Sequence, residues 1–280
     1  MKVVLNKNFM TKIADCGFWC IMTILGLGAL YIIGLITVFD TFHVPGSSMT
    51  PTIHPGEHGV INKLKLGGRL FDIYAAADGR PFKIQRLPGY GKLEKNDIIV
   101  FNGPFTESWD SIAMNMRTYY CKRAVAVAGD TIEIRDGHFR VKGYETELGV
   151  RAEQDIVSEY FSNFKKTNIN EEMPDWVKTL PFKEDVGWTI FEFGPMVIPK
   201  EGLKINLDYL NTILYRKYIA WETGCKVEWN GETATINGIQ APTYTFKENY
   251  CFAAGDHAIN SQDSRYWGLV PEKFIVGVIL

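Results

Sequence analysis

The chain has 280 residues, 46% of them apolar, enough for a buried core and too apolar for wholesale disorder. Its 30 Lys and Arg against 32 Asp and Glu leave a formal charge of −2, so there is no basic field to attract a nucleic acid.

From Cys16 to Phe39 run 24 residues without a formal charge. As a helix rising about 1.5 Å per residue they span roughly 36 Å, enough to cross a hydrocarbon core of ~30 Å. Lys2, Lys7 and Lys12 precede this run and Asp40 follows it. The positive-inside bias therefore predicts residues 1–15 in the cytoplasm, a single transmembrane anchor over 16–39, and residues 41–280 across the membrane. A cleaved signal peptide has an apolar region of only about 7–15 residues and a small-x-small cleavage site, which is absent just after Phe39. A buried core helix is the other reading, but the polar face of an amphipathic helix is missing here, since the run is apolar on all sides.

Beyond the anchor, strands dominate. Val60–Lys63, Asp97–Phe101 and Tyr119–Val127 are short apolar or β-branched runs. Thr131–Val141 reads as a hairpin about a two-residue Asp136-Gly137 turn, and Val227–Ile236 as a second about Asn230-Gly231. Phe246–Ala254 and Phe274–Leu280 complete a mainly antiparallel sheet. Residues 64–96 read as a Gly-rich looped insertion. Leu203, Leu207, Leu210, Leu214 and Tyr218 recur at helical spacing, inside a middle segment rich in charge that includes Lys165-Lys166 and Glu171-Glu172. The fold class is thus mainly β: an N-terminal transmembrane helix, an all-β core over 41–143 and 244–280, and an inserted second subdomain over 144–243 with at least one helix. Three of the five cysteines, Cys121, Cys225 and Cys251, lie outside the anchor. A Cys225–Cys251 disulfide and three reduced thiols are both compatible with that number. No Cys/His spacing points to a metal.

Three segments carry chemistry. Val44-Pro45-Gly46-Ser47-Ser48-Met49-Thr50-Pro51 follows the anchor, its prolines and glycine fixing a tight irregular backbone around two hydroxyls. Tyr119-Tyr120-Cys121-Lys122-Arg123-Ala124-Val125-Ala126 puts a lysine inside an apolar strand. Alternation places Lys122 on one face with Tyr120, Ala124 and Ala126, and Arg123 on the other. A desolvated lysine loses part of its preference for the charged form and becomes a usable general base. The third is the polar loop Gly255-Asp256-His257-Ala258-Ile259-Asn260-Ser261-Gln262-Asp263-Ser264-Arg265-Tyr266-Trp267-Gly268. Taken singly, these segments read equally well as a turn, a snorkelling lysine and an ordered surface loop.

In this order, after an apolar anchor, they resemble the bacterial type I signal peptidase (leader peptidase) family, Ser/Lys proteases that remove signal peptides from exported proteins. The resemblance covers residues 16–63, 97–143 and 246–280. It implies Ser48 as nucleophile, Lys122 as general base, and Ser261 as the hydroxyl orienting that lysine. It implies pockets for small side chains at Phe42, Val44, Met49, Tyr120 and Cys121, with the Ser48 N–H and Ser47 at the oxyanion. Arg123 with Asp256, and Asp263 with Arg265, are implied as supporting pairs. The partners implied are signal-peptide-bearing preproteins and the lipid bilayer of the bacterial inner membrane, with no metal, organic cofactor or nucleic acid. Two departures stand out. Ala258-Ile259 replaces an Arg-Asp pair of the commonest bacterial form, and Gly46 stands where many members have serine. His257 falls where the family has asparagine, so the resemblance gives it no role as a base. A membrane-anchored pseudo-protease that binds exported chains is the alternative reading.

Overall fold

β-Branched and aromatic runs in the middle and at the end of the sequence come together as one antiparallel sheet of seven strands. Its order is Phe39–His43, His58–Asn62, Ile275–Ile279, Ile98–Gly103, Asn115–Ala126, Tyr250–Ala254 and Val270–Pro271. The computed structural model describes residues 7–78, 80, 82–167 and 174–280. Lys2 and Glu171-Glu172 lie outside them. The longest strand, Asn115–Ala126, pairs with Ile98–Gly103 on one edge and Tyr250–Ala254 on the other. Ile99, Phe101, Ala124, Phe252 and Ala253 are fully buried along this seam and anchor the main core. That core also takes in Leu148, Phe193, Leu214 and Tyr218 from the middle of the chain.

A helix runs from Lys7 to Thr37, and its stretch Thr11–Thr37 is long and apolar enough to cross a membrane, with none of its window buried in the protein. The chain leaves it without a linker. Val38 gives way to the edge strand Phe39–His43, and Lys63 closes the helix end by donating to the Leu35 carbonyl at 2.6 Å and the Asp40 carboxylate at 2.9 Å. A helix terminus leaves its last carbonyls without partners. Here a side chain from the neighbouring strand takes one of them.

The Asp136-Gly137 hairpin forms as expected, with Arg135 opposite His138 and both turn residues at positive φ (51° and 77°). The second hairpin differs. Trp229 pairs with Ala234, so its loop has four residues, Asn230 to Thr233, not two. The Asn230 side chain accepts from the backbone N–H groups of Glu232 and Thr233, a local bond that stabilises the wider loop. The apolar helical stripe also begins later than its spacing suggests. Asp208 caps a helix over Tyr209–Thr223 by accepting from Asn211 N, while Lys204–Asn206 is a strand. Leu203 and Leu207 therefore precede the helix, Leu210 is exposed, and the buried face is Leu214, Tyr215, Tyr218 and Ile219. A further helix, Arg151–Thr167, buries Val157 and Phe161. The 64–96 region is not all loop: it holds the paired strands Arg69–Leu70 and Gln85–Arg86 and a short helix Ile73–Ala77. All five cysteines are free, so Cys225 and Cys251 are not joined.

Candidate active site

The loop between Phe39–His43 and His58–Asn62 carries Ser48. Its neck is closed by Val44 N–H donating to the Glu57 carbonyl (3.0 Å) and Gly56 N–H donating to the Val44 carbonyl (2.8 Å). Val44, Met49 and Ile53 turn inward onto Val100, Cys121 and Val276, forming a small core under the loop. Fully burying a side chain such as Met49 stabilises by about 1.5–3 kcal/mol, so the loop is held by packing as well as by its neck.

Lys122 lies on Asn115–Ala126 opposite Ile99 and is 3% exposed. Its Nζ is hydrogen-bonded to Ser48 Oγ. Among the described residues no carboxylate forms an ion pair with it. Burial lowers its pKa from the ordinary lysine value, the largest influence, while Asp263 and Asp256 act in the opposite direction. Arg123, on the other face, makes a two-pronged pair with Asp256, both contacts at 2.7 Å. Asp263 and Arg265 pair in the same way at 2.8 Å and are wholly buried.

Ser261 is buried nearby. Its Oγ has no hydrogen-bond partner among the described residues. It packs over Gly255, where an added Cβ would run into both Ser261 Oγ and the Ser48 carbonyl. The His257 ring Nδ1 lies 3.3 Å from the Ser47 carbonyl, and the His257 backbone N–H donates to the Ser48 carbonyl at 3.1 Å. Both contacts tie the polar loop to the Ser48 loop. The Ser48 N–H donates to no group among the described residues.

A cavity of about 270 Å³ opens in front of Ser48 and Lys122. Phe42, Val44, Met49, Tyr120 and Cys121 all line it. So do Tyr119 and Gln262, which the sequence reading passed over, although Tyr119 heads the strand motif and Gln262 follows Ser261. The Tyr120 ring is backed by Trp267 at 4.8 Å. Burial pushes the Cys121 thiol up to about 12, so it is a pocket wall and not a second nucleophile.

The Ala258-Ile259 departure has a structural counterpart. Ala258 is buried against Val157, Phe161 and Val177, so the helix Arg151–Thr167 covers the loop with apolar surface. Arg265 fastens the loop from within, donating to the Ala258 carbonyl at 2.7 Å and the Ser261 carbonyl at 3.4 Å.

A hydroxyl hydrogen-bonded to a buried lysine amine beside an apolar cavity is an arrangement in which an amine can activate a nucleophile. The chain matches the family described as signal peptidase, peptidase S26, over residues 18–280, and belongs to it. It is 27% identical over 256 residues to signal peptidase I of Buchnera aphidicola subsp. Acyrthosiphon pisum, covering 86% of this chain and 66% of that one. It is 26% identical over 257 residues to signal peptidase I of Haemophilus influenzae (86% and 62%) and 23% over 245 residues to that of Aquifex aeolicus (86% and 73%). The chain thus spans about two thirds of the length of these relatives.

Proposed function

We propose that this protein is a membrane-anchored serine endopeptidase that removes N-terminal signal peptides from exported preproteins, with Ser48 as nucleophile and Lys122 as general base. The observation that carries the reading is the hydrogen bond between Ser48 Oγ and the buried Lys122 amine at the apolar cavity. Neutral Lys122 takes the Ser48 proton as Oγ attacks the scissile carbonyl. The Ser48 N–H, without a partner among the described residues, donates to the developing oxyanion, with the Ser47 hydroxyl as second donor. Protonated Lys122 then gives its proton to the leaving amine. In the second half, Lys122 takes a proton from water, and the hydroxide so formed releases the acyl group and restores Ser48. Ser261, whose hydroxyl is buried and has no partner among the described residues, orients the amine. The cavity walls restrict the first and third residues before the cut to small side chains, since overfilling a packed site is costly. The helix Lys7–Thr37 anchors the chain with its N-terminus in the cytoplasm, and the sheet lies on the outer side of the inner membrane.

The test uses the purified full chain in nanodiscs with a signal-peptide-bearing preprotein. Cleavage after a small residue, abolished in Ser48→Ala and Lys122→Ala while both variants stay folded, is the expected result. Cleavage that survives Ser48→Ala overturns the assignment.

A further inference from the structure

Three consecutive side chains of the helix Tyr209–Thr223 reach segments that lie behind the cavity. Arg216 pairs with Asp110 at 3.3 Å on the exposed rim. The Lys217 amine donates to two backbone carbonyls, Trp109 at 2.8 Å and Trp267 at 2.5 Å. The Tyr218 hydroxyl accepts from the Leu269 N–H at 2.7 Å. Gly268 sits among these contacts. A Cβ there would meet Tyr218 Oη at 2.1 Å and Lys217 Nζ at 2.9 Å, and its φ is 92°, so glycine is what lets both side chains in.

Lys217 joins two segments far apart in sequence. Trp109 lies between the strands Ile98–Gly103 and Asn115–Ala126, and Trp267 follows the polar loop that carries Ser261. Burial of the amine lowers its pKa to about 8, while Asp110 acts in the opposite direction and Arg216 adds to the fall. At neutral pH it is still mostly an ammonium, and a charged donor makes the stronger hydrogen bond. Aromatic rings carry the tie inward. The Trp267 ring packs on Tyr120 at 4.8 Å and on Phe105 at 5.5 Å, and Phe105 packs on Trp109 at 6.1 Å. Tyr120 in turn lines the cavity in front of Ser48. Among the described residues Lys217 has no hydrogen bond to Ser48 or Lys122, and the mechanism makes no use of it.

We propose that Lys217 is a positioning residue for that cavity: by clamping the Trp109 segment to the Trp267 turn, it keeps the Tyr120 wall from yielding to larger substrate side chains. The proposal rests on the peptidase reading, and it gives a helix of the middle segment a task at the site. A cavity selects by size only if its wall cannot give, because the cost of overfilling falls when neighbours move aside. Tyr120 is backed here by rings, and those rings hang from the backbone that Lys217 fastens.

The experiment uses the full chain in nanodiscs and three peptides. One has alanine at the first and third positions before the cut, and the others have leucine at one of the two. The parent chain should prefer alanine at both positions. Lys217→Met should cut the preference at one of them roughly tenfold in kcat/KM, chiefly by speeding cleavage of the leucine peptide. Lys217→Arg, which keeps a charged donor, should restore most of the preference. A general loss of stability slows every peptide and does not produce this pattern. Val227→Ala is the control, since it opens a gap under the same helix and should keep the parent's preference. If Lys217→Met does not fold, Lys217→Gln, which keeps one donor, is read in its place. An unchanged preference at both positions overturns the clamp, and so does an equal change in Val227→Ala. If no peptide is cut, Kd is read by fluorescence polarisation in the Ser48→Ala background. A Kd preference that Lys217→Met removes then supports the clamp while the peptidase reading fails. No preference, or one that Lys217→Met leaves intact, overturns the clamp.

Discussion

Lys122 occupies a site that penalises its charge. Burial outweighs Asp263 and Asp256, so the amine gives up its proton more readily than a free lysine. Only the neutral amine can accept the Ser48 proton. Single-turnover cleavage should therefore rise with pH along a limb below 10.5, the ordinary lysine value, and a limb that vanishes in His257→Ala would point to a different base. The same shift has a sign for stability. The unfolded chain holds this proton more tightly than the native one, so the penalty is full below the native pKa and fades as pH rises towards 10.5. Lys122→Met should be more stable than the parent near neutral pH and should flatten that slope, as chemical denaturation at several pH values would read. At Gly46 an added Cβ meets nothing within 4 Å, and its φ is not left-handed, so Gly46→Ser should fold normally. If Ser47 is the second oxyanion donor, Ser47→Ala should slow acylation about 10²–10³-fold, and Gly46→Ser in that background should recover part of it. A neutral Ser47→Ala leaves the backbone as the sole donor. The residues lining the cavity at Ser48 were legible because they sit in short contiguous motifs. Gln262 was not, since its own type and neighbours give no sign that it faces a cavity. Nor does any sequence pattern show that Ser261 Oγ lacks a partner among the described residues, which depends on how Gly255 lets two loops meet.

Among the elements, those specified by local chemistry were the easiest to read. Asp136-Gly137 supplies the two positive-φ residues that its turn demands. Asn230-Gly231 offers the same residue types, yet the Asn230 side chain bonds two later N–H groups and widens the loop, a competition that the dipeptide does not reveal. Leu203 and Leu207 continue the stripe in register ahead of the helix, while the decisive signal for its start is the Asp208 cap. The helix Arg151–Thr167 is hard to read from sequence although Val157, Phe161 and Phe164 fall at spacings of four and three, because charged and polar residues surround them. That helix adjoins the polar loop, since it covers Ala258, at the departure from the family's common pattern. Phe161→Ala should cost about 3–5 kcal/mol of stability in a denaturant titration. It should also lower kcat, because the loop that bears Ser261 loses its outer support. Unchanged kcat in a destabilised but folded variant would separate that helix from catalysis.

On the scale of the whole molecule, the seven-stranded order could not be read from the sequence. Non-local pairing such as Ile275–Ile279 between His58–Asn62 and Ile98–Gly103 leaves no mark in either partner's own pattern. Legible, by contrast, was the succession of apolar helix and Ser48 loop, and the structure adds how they are joined. A strand of five residues, Phe39–His43, and the Lys63 contact leave the helix end and the Ser48 loop no slack. With the helix in a bilayer, Ser48 travels in a single plane at constant height, and the search for substrate is a lateral one. Turnover should then follow the number of preproteins per lipid, not per litre. Diluting proteoliposomes with buffer should leave the initial rate per enzyme unchanged, and diluting the same proteins with added lipid should lower it in proportion. A Gly-Ser spacer inserted between Thr37 and Phe39 should relax that geometry, so that preproteins differing in the distance from membrane to cut site become more equal as substrates.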